Sequence, residues 1–99
     1  MIKHIVMWKL KAADATARDK ASKEVEAAFA GLDELVPQIV TLEIVRNVVH
    51  NDRNWDLALV SEFMDEGDLT AYIDNADHKK AAAVIIALAA ERAAIDYEF

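Results

Sequence analysis

The order of strand-like and helix-like segments predicts an α+β fold, a four-stranded antiparallel sheet with helices packed on one face. Three observations carry this. Four β-branched or aromatic segments alternate with two amphipathic, alanine-containing ones in the order βαββαβ. The first segment carries large apolar residues on both of its faces. The chain has 99 residues, 55% of them hydrophobic, with two glycines and one proline, which points to one domain over residues 1–99 and one core.

Ile2 to Leu10 is the first strand, β-branched and aromatic without a breaker. Side chains alternate across a strand, so His4, Val6, Trp8 and Leu10 share one face and Lys3, Ile5, Met7 and Lys9 the other. Residues 16–35 read as one helix with Thr16 as a possible N-cap. Val25, Phe29, Leu32 and Val36 form its apolar stripe, and Pro37 ends it. Residues 39–49 are a second strand. The polar cluster His50-Asn51-Asp52-Arg53-Asn54 is a turn, and Trp55 to Met64 returns as a third strand, with Trp55, Leu57, Leu59, Ser61 and Phe63 on one face. Leu69 to Asp74 is a short helical turn, and a helix runs from about Asp77 to Ala90, rich in the best helix former. Ala93 to Phe99 is the last strand, with Ala94 and Asp96 on its helix-facing side.

This order is the ferredoxin-like arrangement. It leaves one sheet face bare, with Ile5 and Met7 on it. Large apolar patches mark interfaces, so a second copy packed sheet to sheet, a homodimer through the open face, is the expected partner.

Charge and composition exclude several functions. The net charge is −7, against a nucleic-acid or anionic-membrane partner, since phosphate binding needs a basic surface. No cysteine is present, which removes disulfides, thiolate zinc sites and thiol nucleophiles and fits a reducing compartment. Lys3, His4, Lys9 and Lys11 interrupt any signal-like apolar run, and no segment reaches membrane-spanning length, so the cytoplasm is the expected location. Metal-ligand spacing and glycine-rich phosphate loops are both absent.

Four polar residues stand out. His4 sits in an apolar strand, where an unpartnered imidazole costs about 1–3 kcal/mol, so it needs a hydrogen bond, as any core histidine does. With Asn75 as N-cap, His78 falls in the first turn of the last helix. It is either a surface residue or a base kept neutral by the positive helix end, with Asp77 opposing that effect. Asp96 lies inside a strand, where Asp is depleted; it is either an edge carboxylate or the group that orients a histidine. Tyr72 reads most simply as a packed tyrosine with its hydroxyl at a rim. His50 receives no role. Spacing alone does not join the four into one site.

The strings Met1-Ile2-Lys3-His4-Ile5-Val6-Met7-Trp8-Lys9-Leu10-Lys11 and Ala71-Tyr72-Ile73-Asp74-Asn75-Ala76-Asp77-His78, a helix ending at Pro37, and the closing Ile95-Asp96-Tyr97 resemble the stress-responsive α/β-barrel (Dabb) family over essentially the whole chain. The resemblance implies a dimeric α+β barrel. It matches His78 to the general base of the family's plant polyketide cyclase, Asp96 to the carboxylate that orients that base, and Tyr72 to the residue bonded to the substrate oxygen. It makes His4 a pocket histidine and puts Val6, Val25 and Phe29 on the pocket wall; Trp8 and Leu57 complete the candidate binding set. The chain departs from the family in having Asn75-Ala76-Asp77-His78 where His-Pro-x-His is common, and Leu57 where the plant enzyme has a further histidine.

The function implied is a homodimer with a small-molecule pocket and acid–base chemistry of the polyketide-cyclase kind, aldol or lyase, on a small carbonyl compound, with no metal and no cofactor. The alternatives are a non-catalytic binder of a small apolar or aromatic molecule, a structural stress-response protein, and a cofactor-independent monooxygenase using Trp8 and Trp55.

Overall fold

A computed structural model describes residues 1–49 and 52–99. The elements are β1 (Ile2–Leu10), α1 (Ala15–Phe29), α2 (Leu32–Leu35), β2 (Thr41–Arg46), β3 (Leu57–Phe63), α3 (Glu66–Asp74), α4 (Ala76–Leu88) and β4 (Ala89–Glu98). One sheet has the order β2-β3-β1-β4 with every pairing antiparallel. This is the expected ferredoxin-like α+β architecture. Among the described residues no helix is long and apolar enough to cross a membrane.

The strict alternation of β1 puts Ile2, His4, Val6, Trp8 and Leu10 under the helices, all buried. Leu57, Leu59, Ser61 and Phe63 of β3 bury the same way. The stripe Val25, Phe29, Leu32 and Val36 closes the core from above. Its helix is interrupted. Gly31 adopts a left-handed φ of 74°, which glycine reaches without Cβ strain, so α1 stops at Phe29 and α2 restarts at Leu32. Val36 is extended, as the residue before a proline should be, so Pro37 does end the helical segment. The N-cap of α1 is Asp14, whose carboxylate accepts from the Ala17 N–H at 2.8 Å, and not Thr16, which lies one residue inside the helix.

Other boundaries differ from the sequence reading: β2 starts at Thr41 and not at residue 39, and β3 spans Leu57–Phe63 and not Trp55 to Met64. β2 ends at Arg46, leaving Val48 and Val49 exposed beyond the pairing with β3. Arg46 instead reaches across to Asp19 and Glu26 of α1, tying the edge strand to the helix layer. α3 starts at Glu66 because Asp65 caps it through the Asp68 N–H at 2.8 Å. β4 starts at Ala89, since pairing with β1 from Leu10↔Ala89 onward recruits residues whose alanines favour helix locally. His50 and Asn51 of the expected turn lie outside the described residues.

Among the described residues the other sheet face carries no helix. Ile5 is flanked by Val60 and Ile95, and Met7 by Ala58 and Ala93. Met7, Val45, Ile95 and Tyr97 are exposed there. Trp55 precedes β3 and lies on this side, with the Lys9 ammonium 5.4 Å from its ring centroid, so it does not share the face of Leu57 and Trp8 as expected.

Candidate functional site

Between the helix layer and the sheet lies a hollow of about 260 Å³. His4, Val6 and Trp8 of β1 and Leu59 of β3 form its floor. Phe29 of α1 and Ile85 and Ile86 of α4 form apolar walls. Tyr72, Ile73 and His78 stand at one side and Arg92 of β4 completes the lining. Its volume sits just under the roughly 300–1,000 Å³ of drug-sized pockets, so it suits a small molecule. Among the described residues no cluster of His, Cys, Asp or Glu has the arrangement to hold a metal ion.

Two helices meet at Asn75 and thereby place the polar cluster. The Asn75 N–H closes α3 on the Tyr72 carbonyl, while its side-chain oxygen accepts from the Asp77 and His78 N–H groups at 2.8 and 3.3 Å and opens α4. Tyr72 and His78 therefore stand three residues either side of one cap. Their ring centroids are 4.1 Å apart. His4 lies edge-on to Tyr72 at 6.3 Å, and Phe63 packs against Tyr72 at 5.0 Å from below.

The protonation pattern follows from the partners. His78 Nδ1 lies 3.1 Å from the Ile73 carbonyl. A carbonyl only accepts, so Nδ1 carries the proton and Nε2 keeps its lone pair. Burial lowers the His78 pKa below its ordinary 6.5, against the Ile73 bond, which raises it, and with smaller lowering contributions from His4 and Lys79. The ring is neutral at pH 7. Burial raises the Tyr72 phenol, which keeps its proton at neutral pH. The hydroxyl bonds to no described residue, yet among the described residues no fully buried side-chain polar atom lacks a partner, so it retains access through the hollow it lines.

Asp96 is in register with His4, and its Oδ1 is hydrogen-bonded to His4 Nδ1. The carboxylate thus orients His4, and the group that orients His78 is the Ile73 backbone. The family resemblance implies Asp96 as the partner of His78, while the residues alone leave the choice of histidine open. Spacing could not separate the two histidines; the β1–β4 register does. Asp96 itself lies on the far side of His4, in a separate cleft with Glu66 and Glu98.

Of the other candidates, Val6, Trp8 and Phe29 line the hollow. Val25 and Leu57 are buried in the core without lining it. Leu59, Ile73, Ile85, Ile86, Ala82 and Arg92 line it and were not foreseen. Leu59 and Ile85 follow from alternation and helical spacing once one lining neighbour is known. Ile73 acts through its backbone, which no side-chain pattern signals. Trp8 and Trp55 lie on opposite sheet faces and do not assemble a shared site.

The fold, and a hollow between its two layers, define a ferredoxin-like α+β domain with a small polar cluster at one end of an apolar cavity. Within that class the chain belongs to the stress-responsive A/B barrel domain (Dabb) family, whose model it matches over residues 2–99. It is similar to a dimeric ferredoxin-like protein of unknown function from Bacteroides fragilis, with 27% identity, TM-score 0.87, and 99% of this chain and 95% of that one covered. A Dabb family protein from Mesorhizobium loti is 22% identical with TM-score 0.77, covering 99% and 95%. A hydroxynitrile lyase from Passiflora edulis is 14% identical with TM-score 0.79, covering 97% and 90%; these last two likenesses are of fold. No curated protein matches the chain.

Proposed function

We propose that this protein works as a homodimer, closed through its helix-free sheet face, and carries out acid–base chemistry without a cofactor on a small carbonyl compound held in the hollow. One observation supports this above the others. A neutral His78, with Nδ1 occupied by a backbone carbonyl, stands beside a protonated Tyr72 in a hollow whose walls are mostly apolar. His78 Nε2 takes a proton from the carbon next to the carbonyl. The Tyr72 O–H donates to the oxygen on which the enolate charge develops. The enolate carbon then adds to a second carbonyl of the same molecule, and the imidazolium returns its proton to the new alkoxide. His4, steadied by Asp96, lines the same end. The dimer is favoured by the exposed row of Met7, Val45, Ile95 and Tyr97, which a second sheet would cover, and by the dimeric Bacteroides fragilis relative.

The test is deuterium exchange of phenylacetone at its α-carbon, followed by proton NMR in deuterated buffer at pH 7. The protein is expected to accelerate exchange over buffer. His78→Ala is expected to lose the general-base contribution, roughly 10²–10⁴-fold, with little change in Tm. Exchange unaffected by His78→Ala would remove the catalytic reading and leave ligand binding as the function of the hollow.

A further inference from the structure

The apolar hollow contains one fixed charge. Arg92 lines it from β4, in register with Trp8. It makes no ion pair or hydrogen bond with any described residue. Glu91, next to it in the chain, faces the opposite side of the sheet, where it meets Lys9 at 3.8 Å. Among the described residues no Asp or Glu lines the hollow, although the chain as a whole carries a net charge of −7. An exposed arginine that lines an apolar cavity and has no carboxylate partner among the described residues can take one from a ligand.

Its position also matters. Arg92 and Asp96 are four residues apart on β4, about 14 Å at roughly 3.4 Å per residue. Asp96 marks the His4 end of the site, where Tyr72 and His78 cluster. Arg92 therefore stands at the other end. A molecule spanning the two would present its carbonyl to His78 and an anionic group to Arg92.

We infer that the hollow selects small molecules carrying a carboxylate, which Arg92 anchors at the end remote from His78. This names the ligand class for the site described under the proposed function and rests on that hollow taking a small molecule, but not on its being catalytic. Arg92 is exposed, so it also draws anions toward an otherwise acidic protein at the mouth of the site.

The probes are 3-phenylpropanoate and its neutral isostere 3-phenylpropanamide, with affinities measured by calorimetry on the full chain. The acid is expected to bind at least about tenfold tighter than the amide. Arg92→Met is expected to bring the acid down to the level of the amide, and Arg92→Lys to restore part of the preference. Tm and far-ultraviolet circular dichroism check that both variants fold; the exposed position of Arg92 gives little reason for either to fail. Equal binding of acid and amide overturns the inference and leaves a small-molecule hollow standing. A preference that survives in Arg92→Met overturns it too, by placing the discrimination elsewhere. If neither probe binds, the inference falls together with the small-molecule reading of the hollow.

Discussion

Breaking the His4–Asp96 pair separates a site-building hydrogen bond from an incidental one. Asp96→Ala leaves a buried imidazole N–H without its acceptor: the His4 side chain keeps 8% of its surface exposed, that of Asp96 48%. Removing one partner of a buried hydrogen bond costs about 1–3 kcal/mol. Water reaches the Asp96 side and replaces part of the bond, which sets the expected loss in the lower half, about 1–2 kcal/mol. For a domain near 100 residues each kcal/mol moves Tm by about 4–8 °C, so Tm should fall by about 4–16 °C. The assay is urea denaturation of the wild type, Asp96→Ala, His4→Leu and the double variant at one protein concentration, since association adds to stability. The pair is expected to couple by about 0.5–2 kcal/mol, the double variant losing less than the two single losses added. Additivity within about 0.3 kcal/mol would refute the claim that the carboxylate holds the ring.

Two further outcomes follow from the same geometry. Burial depresses the His78 pKa, so the neutral form is the one the fold favours. Its contribution to stability is present above the unfolded value near 6.5 and lost as pH falls through the lower folded value. The urea midpoint should therefore drop between pH 7 and pH 5, with a shallower drop in His78→Gln. Phenylacetone exchange should likewise inflect below pH 6.5 and be flat above it; an inflection above that pH would contradict the burial argument. On the bare sheet face, Ile95 is 60% exposed beside Ile5. Ile95→Lys should shift the protein from dimer to monomer by light scattering at micromolar concentration, and a wild type that is already monomeric there would end the sheet-to-sheet dimer.

The sequence made the layers legible because period-two alternation in β1 and the four-three-four spacing of Val25, Phe29, Leu32 and Val36 are both unbroken. Asn75 was readable as a cap from its chemistry, and with it the place of His78. The failures have local causes. Gly31 sits inside an apolar stripe whose spacing hides a one-residue reversal of φ. The alanines of 89–94 favour helix, so the strand start, and Arg92 with it, was invisible without β1 alongside. Asp96 looked equally able to serve either histidine until strand register chose His4. Leu57 and Leu59 alternate onto one face, and only the three-dimensional position of the hollow distinguishes them.

Asn75 has a consequence of its own. One side chain and its backbone end one helix and begin the next, so Tyr72 and His78 are suspended from a single joint. A drift of α3 and α4 as one unit carries both rings together, keeping their mutual spacing while changing their distance to whatever occupies the cavity. The walls supplied by Phe29, Ile85 and Ile86 can thus be remodelled by substitution without retuning the reactive couple, a freedom by which one scaffold can come to serve unlike molecules.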